Sequence, residues 1–485
     1  MFGQKMRIFA ILFAALAIVT FSQSSAFGQA AGVAGGAAAG GAAGGAAAGG
    51  AAAGGTATGG IQIDAKGVLS LRTMQGNAQL LNRRRFQAAQ AAINKDLQRP
   101  SALRKISLNR LEKEIAGLLA SGKQIPPDMQ YLAGMTRITN VFFYPETNDI
   151  VIAGPAEGYF INANNHVIGM KSGHSTMQLQ DLVVALRAFN PNGKKVGVIS
   201  CSIDPTQEGL ARFRDTYTKI ARSGKFRPGM ENQVVRMYQQ SLGMQKISIN
   251  GVSTKTHFAR VLVEADYEMK LIGIGLKRPP VKITSFIEKA TPTSVAKSSL
   301  QRWFFQPNYD CVHVNEDETA MQLVGNGVKL VGEDESVNAK GDRKRTGSTN
   351  RASRAFCGSF TKMYDKLAQQ SPLWGELRNL IDMSVTAAFI QEMDFYGKSG
   401  WDLGVLGDES KFSVETLEAP RQVAPVANAV WKGNYFMSPI AGGVNIQPRV
   451  ALNSDQMKVD EKGEIDKLKN EIKLGNLAEG QWWWD

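Results

Sequence analysis

Cysteine and histidine are scarce: the 485 residues hold three cysteines and four histidines. Cys201, Cys311 and Cys357 lack the close spacing of a zinc or redox motif. Their odd number permits at most one disulfide within the chain. Cys311 and Cys357 form the candidate pair, because Cys201 lies inside the apolar run Val196 to Ile203; free, buried thiols at all three positions are the alternative. His166, His174, His257 and His313 show no i,i+4 pair, and Asn315-Glu316-Asp317-Glu318 lacks the alternating oxygen ligands and glycine of a calcium loop. No glycine-rich phosphate loop follows a strand, so no cofactor or metal is expected. After the leader, no apolar run is long enough to cross a bilayer.

Basic charge is plentiful. The formal net charge is +13, which favours anionic neighbours such as envelope polymers, lipid headgroups or nucleic acid, the plainer alternative being charge spread over solvated faces. With 43% hydrophobic residues the chain can bury cores of ordinary domain size. Lys5 and Arg7 precede an apolar run from Ile8 to Phe21, followed by Ser24-Ser25-Ala26, the pattern of a secretory signal with cleavage after Ala26. This predicts export to the periplasm, the cell envelope or the exterior. From Ala30 to Gly60 nearly every residue is Gly or Ala, a flexible tether with no side chains to bury.

The expected fold is α+β: an antiparallel meander and mixed sheet with packed helices, then a second, smaller strand-then-helix unit. The divisions are 1–26 signal peptide, 27–60 tether, 61–125 hairpin and helical region, 126–280 central α/β domain, 281–400 second α+β unit, 401–460 irregular Gly/Pro-containing segment, and 461–485 short helix and tryptophan-rich tail. Ile61 to Leu71 reads as a hairpin around Lys66-Gly67. Arg137 to Met170 reads as a four-stranded meander whose turns fall at Pro145 to Asn148 and at Asn164-Asn165. Ser175 with Gln178 reads as a capping box for a helix, Lys195 to Ile203 as a buried strand, and Asp204 as the cap of the next helix. His257 to Gly275 reads as strand. Strands near Trp303, Cys311, Met321 and Val328 precede two helices led by Phe356 and by Ser371-Pro372.

The segments LRKISLNRLEKEI, YLAGMTRITNVFFYPETNDIVIAGPAEG, DLVVALRAF, SCSIDPTQEGLARF, HFARVLVEADYEMKLIGIGL and SPLWGELRNLIDMSVTAAFIQEMDFYGKSGW resemble a planctomycete-associated, uncharacterised family of exported proteins. The resemblance covers most of the chain after the tether. It implies export and a shared fold, and brings no activity, cofactor or catalytic residue.

Few residues offer chemistry. His174, Cys201 and Asp204 could form a thiol-hydrolase triad, with the nucleophile at a strand end and the histidine on a preceding loop. Each also has a plain structural role, as a polar turn, a core strand residue and a helix cap. Lys340 to Arg354 lacks apolar periodicity and reads as an exposed basic loop in which Arg343, Lys344, Arg345, Arg351 and Arg354 could bind an anion. Arg83, Arg84 and Arg85 could grip phosphates or form a solvated helix face. Trp482, Trp483 and Trp484 could dock on the protein itself, on a partner or on a glycan. The sequence therefore points to an exported, non-catalytic envelope or interaction protein with an anionic envelope polymer or another envelope protein as partner and no specific nucleic acid. The alternative is a periplasmic hydrolase acting on an anionic or polysaccharide substrate.

Overall fold

The computed structural model describes residues 58–485, except 74–76, 194–195, 225–226, 292–298, 429, 433–434, 438–441, 454, 472–473 and 475–476. The signal peptide, its cleavage site and the Gly/Ala tether up to residue 57 lie outside the described residues. The fold is α+β.

Strands β1 (Thr58–Ile63) and β2 (Val68–Thr73) make the first hairpin, turning at Gly67 with φ +76°. Helices α1 (Ala78–Ala92) and α2 (Lys95–Gln98) lead to β3 (Ser101–Ser107), α3 (Leu108–Ala120) and α4 (Pro127–Gln130). The α3 helix starts where the Ser107 hydroxyl accepts from Arg110 N, and it buries Leu108, Leu111 and Ile115. Two hairpins follow, β4 (Asn140–Tyr144) with β5 (Asp149–Ala156) and β6 (Tyr159–Ile161) with β7 (Val167–Gly169). Their turns place Asn148 and Asn165 at positive φ, a conformation asparagine tolerates better than most side chains.

The middle of the chain runs α5 (Leu179–Ala188), β8 (Ile199–Asp204), α6 (Gln207–Ser223), α7 (Glu231–Leu242), β9 (Gln245–Asn250) and α8 (His257–Gly273). After α9 (Phe286–Lys289) come β10 (Ser299–Asn308), β11 (Cys311–Val314), β12 (Ala320–Val324), β13 (Gly327–Val337) and β14 (Arg343–Arg345). Helices α10 (Arg351–Gln370), α11 (Pro372–Glu392) and α12 (Phe395–Ser399) precede the short strands β15 (Gln422–Val423), β16 (Val430–Lys432), β17 (Tyr435–Met437) and β18 (Gly442–Ile446). The chain closes with α13 (Pro448–Ala451), β19 (Met457–Val459), α14 (Glu464–Asn470) and β20 (Trp483–Trp484).

Two large sheets carry the architecture. The nine-stranded sheet has the order β1-β2-β15-β9-β8-β18-β10-β13-β14, and the seven-stranded sheet the order β19-β11-β12-β4-β5-β3-β20. Strands from residues 126–280 and from 281–400 thus share both sheets: β12 pairs with β4, and β18 bridges β8 to β10. One apolar core runs from Ile61 to Trp482 through both, and a smaller one beneath α14 collects Phe142, Tyr144, Ile465 and Trp484.

Five local expectations need correction. His257 to Gly273 is helix; it is buried on all sides, with charged residues on two of its faces, so its apolar residues show no clear period. The meander is two separate hairpins, with β6 and β7 in a sheet of their own. Helix α5 begins at Leu179 without a side-chain cap, while the Ser175 hydroxyl donates to the Pro372 carbonyl at 2.6 Å. Thr206, not Asp204, caps α6, its hydroxyl accepting from Gly209 N. Finally, the basic stretch is not a loop throughout: β14 pairs with β13, and α10 starts at Arg351.

Candidate functional site

Helix α8 lies between the nine-stranded sheet and helices α5 and α11, and it is buried along almost its whole length. The Thr256 hydroxyl starts it by accepting from Ala259 N at 3.2 Å. At 100° per residue, Glu264 and Glu268 share one face while Asp266 and Lys270 share the opposite one. The helix therefore carries charge on two sides.

On the sheet side, Lys270 Nζ donates to the Ile203 carbonyl of β8 at 3.1 Å and to Asp266 at 3.2 Å. Burial pushes the Asp266 carboxyl up to about 6, with Lys270 opposing. On the other side the imidazoles are held by carboxylates: His257 Nδ1 lies 2.9 Å from Asp181 of α5, and His166 Nδ1 lies 2.8 Å from Glu376 of α11. Burial disfavours both imidazolium charges. The partners outweigh it, and each histidine rises to about 9. Glu268 pairs with Lys277. Glu264 is 8% exposed and makes no hydrogen bond among the described side chains; burial, then the Glu268 charge, lift it to about 7.

Across the sheet from α8 lies an open cleft of about 620 Å³. Strand alternation builds it, because Ile199, Cys201 and Ile203 of β8 face the core while Ser200 and Ser202 face outward. Its floor continues with Arg302, Phe304 and Gln306 of β10 and Asn445 of β18, whose alternate neighbours Trp303, Phe305, Val444 and Ile446 are buried. The Arg302 guanidinium covers the Phe304 ring at 4.7 Å and bridges Glu335 at 3.0 Å and Asp204 at 3.4 Å. Arg343 reaches the same two carboxylates, at 2.6 and 2.9 Å. Arg345 stands on the rim, 74% exposed and 3.7 Å from Glu333.

The structure separates the residues proposed as a triad. Cys201 is buried with its thiol pushed up by burial and then by Asp266, which suits a packing residue and opposes a thiolate nucleophile. Asp204 ends β8, and although burial works against its charge, Arg302, Arg343 and Lys270 hold it below the usual carboxylate range. His174 lies elsewhere, lowered by burial and by Arg378, and has neither Cys201 nor Asp204 among its partners.

Of the basic group, Arg343 is tied to Asp204 and Glu335, Arg345 reaches the cleft, and Lys344 and Arg351 are exposed. Arg354 donates to the Thr349 carbonyl at 2.5 Å. Arg83 and Arg84 are exposed on α1, and Arg85 donates to the Asn162 carbonyl. Cys357 is buried and free, so the Cys311–Cys357 disulfide is not formed. Trp482 and Trp484 are buried, β20 pairs with β3, and Trp483 lies under the Arg104 guanidinium at 4.6 Å. The tail docks on its own protein. Among the described residues no group of three His, Cys, Asp or Glu side chains could hold a metal ion, and no helix is long and apolar enough to cross a membrane.

Sequence reasoning missed the α8 cluster and Arg302. The signal was present as two interleaved i,i+4 charge pairs inside an otherwise apolar run. Reading that run as strand hid them.

Residues 201–286 match the model of a protein family of unknown function, DUF1598. The matched stretch begins inside β8 and ends at the first residue of α9, so it includes every charged residue of the central helix and, of the cleft, only Cys201 and Ser202. No curated protein and no solved structure matches the chain.

Proposed function

We propose that this is an exported, non-catalytic envelope protein, of the kind its resemblance to planctomycete exported proteins implies, and that it binds an acidic polysaccharide along the open face of the nine-stranded sheet. The cleft carries the reading. Its floor offers serine hydroxyls and side-chain amides suited to sugar hydroxyls, and the exposed Arg345 stands on the rim, while Arg302 on the floor is held by Glu335 and Asp204. The formal charge of +13 adds long-range attraction for a polyanion.

A hydrolase acting on the same polymer is the second reading, and the shifted groups around α8 are what favours it. Their position favours binding instead, because Glu264, His166 and His257 lie on the far side of α8 from the sheet that floors the cleft. Calorimetric titration with oligogalacturonate and with neutral dextran tests the reading. Binding should be confined to the acidic polymer, weaken with salt, and fall about tenfold in Arg345→Glu, one charge-assisted contact being worth that much. Equal binding of both polymers, binding of neither, or release of shortened oligosaccharides would contradict it.

A further inference from the structure

The cluster on the α11 side of α8 has no part in the cleft, yet it joins four elements through ionisable groups. His166 sits in the turn between β6 and β7, His257 opens α8, Asp181 belongs to α5 and Glu376 to α11. Each imidazole meets, through Nδ1, a carboxylate that is itself buried. Glu264 stands among them without a hydrogen bond, facing Glu268 on its own helix, His166, Glu376 and Lys277.

We propose that Glu264, His166 and His257 form a proton-operated latch, with α8 fastened to α5 and the β6–β7 hairpin fastened to α11 beside it, tight in acid and loosening step by step as the solution turns neutral and then alkaline. The charge balance gives the direction. With Glu264 protonated and both histidines charged, the pairs His166–Glu376, His257–Asp181 and Lys277–Glu268 cancel, and no net charge is buried. Loss of the Glu264 proton adds a negative charge in a buried site beside Glu268 and Glu376, which the His166 and Lys277 charges only partly offset. Loss of the histidine protons then strips Asp181 and Glu376 of their counter-charges.

All three groups act with the same sign. Glu264 is raised from 4.5 to about 7, so its contribution is whole below 4.5 and lost as pH climbs through 7. Each histidine is raised from 6.5 to about 9, so its contribution is whole below 6.5 and lost as pH climbs through 9. On the opposite face of α8, Asp266 with Lys270 packs against β8, and Asp204, Arg302 and Cys201 surround that pair. Its carboxyl, raised to about 6, gives an earlier decline on the sheet side.

The test is a series of thermal melts from pH 5 to pH 10 on the parent protein and Glu264→Gln, with an NMR titration of the histidine ring protons in the parent. The parent should lose melting temperature from pH 5 to about 7, through Glu264, and again from about 7 to 9, through the histidines. Glu264→Gln keeps the side-chain shape without the titration, so it should lie nearest the parent at pH 5, melt higher from pH 7 upward, and show a smaller first decline. Two of the four histidines should stay protonated past pH 8. A flat parent profile, an unchanged first decline in Glu264→Gln, or four histidines titrating near the ordinary 6.5 would each overturn the latch, and the NMR result decides even if the variant does not fold.

Discussion

Replacing Asp485 by alanine removes one half of an ion pair whose other half cannot reach water. Arg104 is fully buried on β3; its Nε donates to Asp485 Oδ1 at 2.8 Å and its Nη2 to Oδ2 at 3.0 Å. Breaking a pair buried at both ends costs about 3–5 kcal/mol. Here the Asp485 side chain is 42% exposed, so water screens part of the attraction. Arg104 also keeps the carbonyls of Ala133 at 2.7 Å and Arg99 at 3.1 Å and the face of Trp483. The expected loss is therefore about 1–3 kcal/mol, the range for a buried donor left partly unsatisfied.

Urea unfolding followed by tryptophan fluorescence reads this directly, because Trp482 to Trp484 move with the strand that Asp485 anchors. The midpoint should fall in Asp485→Ala, and Arg104→Met in the same background should recover part of the loss by removing the stranded cation. A midpoint equal to the parent's in Asp485→Ala would refute the argument that the tail is a structural clasp.

Other outcomes follow from single side chains. Thr256→Ala removes the cap of α8 and should cost about 1 kcal/mol, measured by the same urea transition. Cys201 and Cys357 should be silent to a thiol reagent in the native protein and react once it is unfolded, since both are buried with raised thiols. Asp204→Ala should destabilise through Arg302 and Arg343, by about 1–3 kcal/mol. Because the folded Asp204 is lowered, that contribution is present above its unfolded range and disappears as pH falls through the folded value, so parent and variant should converge in strong acid.

Local chemistry was legible wherever a residue's own backbone decided the outcome. The positive-φ turns at Gly67, Asn148 and Asn165 and the proline-led helix α11 follow from such preferences. Pairing between distant segments was not legible, because β18 bridging β8 to β10 and β20 closing on β3 depend on which edges remain free after the chain has packed. The candidate site divides in the same way. Arg345 was visible as one member of a basic stretch, whereas Arg302 became visible only once alternation on β10 turned it away from Trp303. Asp204 was misread because an aspartate before Pro205 looks like a helix cap whether or not arginines wait across the sheet.

The central claim is that the open sheet face is the ligand site, and hydroxyl-radical footprinting of the parent protein with and without oligogalacturonate tests it most directly. The account predicts protection concentrated on the peptides carrying Phe304 and Arg345, with Trp482 to Trp484 and the α8 peptides unchanged. Protection of the tryptophan tail or the exposed face of α1 with Phe304 left unprotected would contradict it.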